Sequence, residues 1–305
     1  MNTRFLISLV LFLISLVPAQ AATWAPASGH VQTPIWPGAV PDATSARAPE
    51  SVTSASGHGG WLQVENVAIP TMTVYPAQGR NTGAAVIVFP GGGFRVLAID
   101  LEGTEICDWL VSRGITCVLL KYRVPGTNDY WDDRCQCRIT PTIPRALQDA
   151  QRTIKLVRSK AKELRLNPGK IGVIGFSAGA YLVAQTSNIV ASTYKPVDAV
   201  DKWSSRPDFA IALYPGHLCR SGVLDPSIHV AKETPPTFLL QAWDDPVDPV
   251  CNTILYSAAL DRAAVPAEVH LFAEGGHAFG LRDKNGPVAA WPSLVERWLK
   301  GGGIL

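Results

Sequence analysis

The 305-residue chain carries 27 lysines and arginines against 25 aspartates and glutamates, a formal charge of +2, with no basic run. That balance excludes a nucleic-acid groove and a polybasic membrane anchor. Its length and 47% hydrophobic content allow one large domain with a full core. Residues 1–21 read as a secretory signal. Arg4 supplies the charged start, Phe5 to Val17 the apolar centre, and Pro18-Ala-Gln-Ala21 an A-x-A cleavage site. The apolar run is too short to span a bilayer comfortably, and no second stretch is long and apolar enough to do so. The expected location is the periplasm or the medium. Residues 22–60, rich in Pro, Ala, Ser and Gly without a sustained period, read as an extended arm. A single α/β domain is expected over 61–305.

From residue 71 onward, short apolar β-branched runs alternate with helical patterns, the signature of a mostly parallel twisted sheet with helices on both faces. Strands are expected at 71–75, 84–89, 115–120, 170–174, 209–214, 237–242 and 268–272. Helices are expected at 102–113, 144–164, 253–263 and 289–299, with another opening at Ala180. The six cysteines of an exported chain make disulfides plausible. The reading pairs the loop cysteines Cys135 and Cys137 with Cys219 and Cys251, and leaves Cys107 and Cys117 as buried thiols. A C-x-C without matching Cys or His spacing is poor evidence for zinc.

The most informative run is Gly175-Phe-Ser-Ala-Gly179. A G-x-S-x-G pentapeptide alone arises by chance roughly one time in ten in a chain this long. Here it follows an apolar strand and opens a helix, which is the setting of a nucleophile elbow. A serine is a poor nucleophile unless a base, itself oriented by a third group, takes its proton. Chain order after Ser177 puts the acid in the loop after strand 237–242 and the base in the loop after strand 268–272. His277 is the only histidine just beyond that last strand. His30 and His58 fall in the arm, His270 lies within a strand, and His217 and His229 are out of order; these five read as surface or supporting groups. Among Asp244, Asp245 and Asp248, Asp245 ranks first because it heads Asp-x-Val-x-Pro, followed by Asp248 and then Asp244. Turn and helix-cap duty is the alternative for the other two. Phe89-Pro-Gly-Gly-Gly-Phe94 follows the first long core strand, where backbone N–H groups of Gly92 and Gly93, with Ala178, are positioned to hold an oxyanion.

With these loops placed, the chain resembles the α/β-hydrolase superfamily over nearly all of the sequence after the signal. More narrowly it resembles exported acetylxylan esterases and BD-FAE-type carbohydrate esterases. The shared runs are Ile35-Trp-Pro-Gly38, Pro90-Gly-Gly-Gly-Phe94, Lys121-Tyr-Arg123, Asp149-Ala-Gln-Arg152, Gly175 to Gly179, Asp245-Pro-Val-Asp-Pro249 and Gly276-His-Ala-Phe-Gly280. Two departures stand out: Pro90 replaces the histidine of an HGGG motif, and Ala180 stands where that group often has glycine. The resemblance implies a serine esterase that removes acetyl groups from xylan or a related polysaccharide through an acyl-enzyme, with no metal or cofactor. Phe94, Tyr130, Trp131 and Trp243 are the candidate stacking surface for a sugar ring, whereas Phe279 reads as core. Arg123, Asp149 and Arg152 read as structural polar groups.

The same skeleton serves feruloyl and general small-ester carboxylesterases, which stand as the alternative. A prolyl-oligopeptidase-type peptidase brings a propeller that about sixty leading residues cannot build. The two dozen residues between Tyr214 and Thr237 are too few for a large lid domain. A non-catalytic binding protein of this fold typically loses the serine, acid or histidine, and this chain keeps all three.

Overall fold

The computed structural model describes residues 23–44, 48–125 and 143–305, together with the backbone of 131–132 and 137–138. The expected signal segment, Tyr130 and Cys135 lie outside the described residues. Eight strands form one sheet: β1 (Gln32–Pro34), β2 (Thr71–Tyr75), β3 (Ala85–Phe89), β4 (Thr116–Lys121), β5 (Ile171–Phe176), β6 (Ala210–Leu213), β7 (Thr237–Ala242) and β8 (Ala267–Phe272). Their order across the sheet is β1-β2-β4-β3-β5-β6-β7-β8. β1 and β4 each run antiparallel to β2, and every pairing from β4 to β8 is parallel. β3 to β7 are buried at every residue, which matches their near-continuous apolar sequences, since helices cover both faces of a parallel sheet. Edge strand β8 instead alternates between exposed and half-buried positions.

Among the described residues, five α-helices cover the sheet: α1 (Glu105–Val111), α2 (Pro144–Ser159), α3 (Ala178–Asn188), α4 (Cys251–Arg262) and α5 (Trp291–Gly301). α1 and α5 meet through the edge-on rings of Trp109 and Trp291, and the Arg113–Glu296 ion pair joins the turn after α1 to α5. α3 reaches α4 through Asn188 Nδ2, which donates to Tyr256 Oη, and also packs on α2. The helix expected from residue 102 begins instead as a π turn, Asp100–Thr104, and only then becomes α1. α2 stops at Ser159 rather than near 164.

The expected arm does more than lie over the domain. Its residues 32–34 form β1, and Ser51–Ala55 pairs with Trp61–Glu65 as a hairpin that Val96–Ala98 completes into a small antiparallel sheet. A boundary at residue 60 therefore falls inside the hairpin turn. These strands are short and largely half-exposed, so they carry no apolar alternation for composition to reveal. Trp24, Ile35 and Trp36 are buried against the core.

The cysteine pairing also departs from expectation. Cys219 bonds Cys251, and Cys107 bonds Cys117. The first bridge removes both proposed partners of Cys135 and Cys137. The second converts the two expected thiols into a link between α1 and β4, whose Cα atoms lie 5.2 Å apart, a separation that spacing along the chain does not disclose. Between β6 and β7 there is a small hairpin, Cys219–Arg220 with Val223–Leu224, rather than a lid domain.

The sheet order fixes where a ligand fits. The connections leaving β3 and β5 depart in opposite directions, and the crevice beyond the carboxyl ends of two such strands is the usual binding position of an open α/β sheet. Phe89 pairs with Gly175 in register, so the glycine loop after β3 and the turn after β5 emerge side by side.

Candidate active site

Ser177 occupies the turn between β5 and α3 with φ 52° and ψ −119°, a sparsely populated backbone conformation for a residue with a side chain. The turn is tight enough to require its glycines. A Cβ on Gly175 would stand 2.2 Å from the Gly179 carbonyl oxygen, and one on Gly179 would stand 2.0 Å from that of Phe89. Both distances are impossible without moving backbone, so the pentapeptide glycines are dictated by close packing of turn, helix and neighbouring strand.

The two later loops converge on this serine. His277 Nε2 lies 2.9 Å from Ser177 Oγ, and His277 Nδ1 lies 2.7 Å from Asp245 Oδ2. A carboxylate only accepts, so Nδ1 carries the hydrogen and Nε2 is left to accept from the serine hydroxyl. Asp245 Oδ1 accepts from the backbone N–H groups of Val247 and Asp248, which holds the loop after β7 in a tight turn. Burial works against a charge on His277, but the hydrogen bond to Asp245 and the charges of Asp245, Asp248 and Glu102 outweigh it. The imidazole is held above its usual pKa.

The structure separates the three aspartates. Asp245 faces Nδ1, Asp248 Oδ2 lies 3.9 Å from Nε2, and Asp244 Oδ1 accepts from the N–H of Gly276 next to the histidine.

In the glycine loop, the Gly91 N–H is already taken by Glu102 Oε2 at 2.7 Å. Among the described residues, the N–H groups of Gly92, Gly93 and Ala178 have no protein acceptor, which leaves them free for a ligand oxygen. Pro90, the departure from an HGGG pattern, still takes part through its carbonyl, which accepts from Tyr122 Oη.

The aromatic residues divide. Phe94 is only 2% exposed, packed among the rings of Tyr122, Tyr181 and His217, so it is part of the wall and offers no open stacking face. Trp243 is 59% exposed and does. Phe279 is buried against Tyr214, as its sequence context implied. Tyr130 lies outside the described residues, and of Trp131 only the backbone is described.

Three groups near the site escaped sequence reasoning: Glu102, Tyr214 and His58. Glu102 was one more polar position at the start of a helix, and Tyr214 one more strand residue. His58 sits in the turn of the 51–65 hairpin. Desolvation, then the positive charges of His277 and Arg282, push its imidazole below the usual value. Arg282 fastens that turn: Nη1 donates to the carbonyls of His58 at 2.8 Å and Gly60 at 2.6 Å, while the rest of the guanidinium pairs with Glu105 and Asp100. No cluster of His, Cys, Asp and Glu among the described residues is arranged to hold a metal ion, and none of their helices is long and apolar enough to cross a membrane.

Comparison with known proteins agrees with this architecture. The BD-FAE family model matches residues 73–211. An acetylxylan esterase of Xylanibacter ruminicola is 30% identical over 228 residues, covering 66% of this chain and 42% of that protein. Endo-1,4-beta-xylanase B of Butyrivibrio fibrisolvens is 25% identical over 232 residues, covering 68% of this chain and 34% of that protein. The chain thus spans less than half the length of either relative. The crystal structure of an acetyl ester-xyloside bifunctional hydrolase from Caldicellulosiruptor lactoaceticus matches with a TM-score of 0.71 at 29% identity, over 90% of this chain and 97% of that one. The chain has the α/β-hydrolase fold, and over residues 73–211 its sequence resembles the BD-FAE-type carbohydrate esterases.

Proposed function

We propose that the protein is an exported esterase that removes acetyl groups from carbohydrate, with acetylated xylan or a related plant polysaccharide as substrate. The observation that carries the chemistry is the continuous relay from Ser177 Oγ through His277 to Asp245, with links of 2.9 and 2.7 Å. The sugar ester rests on the acetylxylan esterase and the acetyl ester-xyloside hydrolase among the relatives. Export rests on the signal-like residues 1–21 and on the Cys107–Cys117 and Cys219–Cys251 disulfides, which persist in an oxidising compartment.

In this mechanism Ser177 Oγ attacks the acetyl carbonyl carbon while His277 Nε2 takes the hydroxyl proton. Asp245 keeps Nδ1 protonated and offsets the imidazolium charge. The negative carbonyl oxygen is met by the N–H groups of Gly92, Gly93 and Ala178, each such donor commonly contributing about 3 kcal/mol. Collapse breaks the C–O bond to the sugar, whose oxygen receives the proton from His277. Water, deprotonated by the same nitrogen, then hydrolyses the acetyl-serine and releases acetate. Trp243 offers its exposed ring to the sugar side.

The test is acetate release from acetylated xylan by the purified protein, beside Ser177→Ala and a methyl ferulate assay. Release that vanishes in the variant is expected. Ferulate release without acetate would move the substrate to aromatic esters, and turnover of p-nitrophenyl acetate alone would overturn the polysaccharide assignment while keeping the chemistry.

A further inference from the structure

Glu102 is a carboxyl group shut inside the protein, 2% exposed, on the π turn that precedes α1. Such a group persists where it is bonded and has work to do. Its two oxygens point to two different loops of the site. Oε2 accepts from the Gly91 N–H at 2.7 Å, directly before the two glycines whose N–H groups stay free. Oε1 takes the Tyr214 hydroxyl at 2.9 Å. The Tyr214 oxygen in turn accepts from the Gly280 N–H at 3.4 Å, three residues beyond His277, and the Tyr214 ring stands edge-on to the His277 imidazole with centroids 5.1 Å apart. Gly91 is held so closely that a Cβ there would lie 2.6 Å from Glu102 Oε2.

The hydrogens assign the charge. The Gly91 amide only donates, and the Tyr214 oxygen, already receiving the Gly280 N–H, has its own hydrogen free for Glu102. Both contacts are therefore satisfied by a carboxylate. A protonated acid would bring one hydrogen more than these two contacts accept, since both partners already donate to it. Burial holds the carboxyl above its usual pKa even against the His277 charge and these same two donors, so the anion rests on the hydrogen-bond pattern and on the charge His277 brings during the reaction.

We propose that Glu102 is a positioning residue of this site, acting as an anionic tie that fixes the glycine loop at Gly91, fixes the histidine loop through Tyr214, and stabilises the positive charge His277 acquires during the reaction. Asp245, Asp248 and Glu102 then act together on the imidazolium. His58 and Arg282 are charged groups that His58's own titration couples to it, and Tyr122, whose hydroxyl donates to the Pro90 carbonyl, senses the Glu102 charge. The assignment rests on the ester-hydrolase reading above.

The test is the pH profile of kcat/KM on p-nitrophenyl acetate for the full protein, Glu102→Gln and Glu102→Asp, with Ser177→Ala as the blank and Tm recorded for each. Glu102→Gln keeps the shape and removes the charge. Its kcat is expected to fall roughly tenfold to hundredfold with little change in KM. The acid limb should move about half a pH unit or more toward lower pH, because an imidazolium that loses an anion deprotonates more easily. Glu102→Asp keeps the charge but shortens the reach to Gly91, so kcat falls while the limb stays in place. A Glu102→Gln limb that coincides with wild type would leave only a structural brace and overturn the electrostatic role. Full kcat in Glu102→Asp would overturn the positioning role, and it decides the matter should Glu102→Gln not fold. An inactive wild type would defeat the ester-hydrolase reading instead, so the two failures are distinguishable.

Discussion

Asp245 and Asp248 stand on one loop but face different nitrogens of His277, and that difference makes opposite predictions for the two residues. Asp245 bonds Nδ1 and so fixes the tautomer that leaves Nε2 able to accept. Asp245→Asn is expected to lower kcat by about 10³ to 10⁴, since an amide in that place favours the wrong tautomer. Asp248→Asn, 3.9 Å from Nε2 and without a role in the tautomer, should lower it by less than about tenfold. Steady-state rates on p-nitrophenyl acetate decide between them, and the reverse ranking would transfer the acid role to Asp248. The pH dependence follows from the same groups. His277 must be neutral to take the serine proton, and its pKa is raised above 6.5. Activity should therefore fall as pH falls through a midpoint above that value. A limb centred at or below it would show that Asp245, Asp248 and Glu102 do not outweigh burial.

At the scale of elements, the loops that carry the site are pinned by bonds remote in sequence. Cys219–Cys251 ties the hairpin after β6 to the first residue of α4, and the acid loop lies just before that residue. With 32 residues between its ends, this bridge restricts the unfolded chain enough to stabilise the fold by about 3 kcal/mol. A Cys219→Ser, Cys251→Ser double variant is expected to melt roughly 6–12 °C lower and to lose kcat as the acid loop loosens. Unchanged melting would mean that packing alone holds the hairpin. The strands of the hairpin at 51–65 are held by Val96–Ala98, but its turn is pinned differently, by the Arg282 guanidinium, 25% exposed to solvent. Arg282→Gln should lower stability by only about 1–2 kcal/mol, but KM on acetylated xylan should rise several-fold as the His58 turn leaves the rim. An unaltered KM would show that the turn has no part in binding. Neither device was legible beforehand. The hairpin is built from half-exposed polar strands and the guanidinium bonds to carbonyl oxygens more than two hundred residues away, a relation that no local pattern encodes.

For the molecule as a whole, what the sequence discloses and what it conceals divide along a physical line. Fully buried strands leave continuous apolar runs, and the tight turn at Ser177 leaves obligatory glycines, so sheet, elbow and loop order could all be read directly. Buried polar groups leave no such trace, because their partners are assembled only by folding. Glu102 and Tyr214 are one example, and the Asp149-Ala-Gln-Arg152 run is another. Its two charges are structural as expected, yet each bonds elsewhere. Asp149 takes Arg123 Nε at 2.8 Å and Trp36 Nε1 at 2.9 Å, while Arg152 pairs with Asp198 and donates to the Ile35 carbonyl at 3.0 Å. Trp36 and Ile35 belong to the N-terminal segment, so this polar cluster straps that segment across α2 and ties both to the core. Asp149 is 0% exposed, and the Arg123 side chain only 3%. Asp149→Asn removes the countercharge of a buried guanidinium, whose other partners are the neutral oxygens of Pro41, Arg145 and Gln148, and turns an amide N–H toward its donors. A buried ion left without its countercharge in this way destabilises by about 3–5 kcal/mol. Urea unfolding is the measurement: the midpoint should fall while the slope stays constant, as expected when the whole domain still unfolds as one unit. A loss below about 1 kcal/mol would mean that the segment is held by Trp24, Ile35 and Trp36 packing alone. A lowered slope would instead show the N-terminal segment detaching before the sheet unfolds.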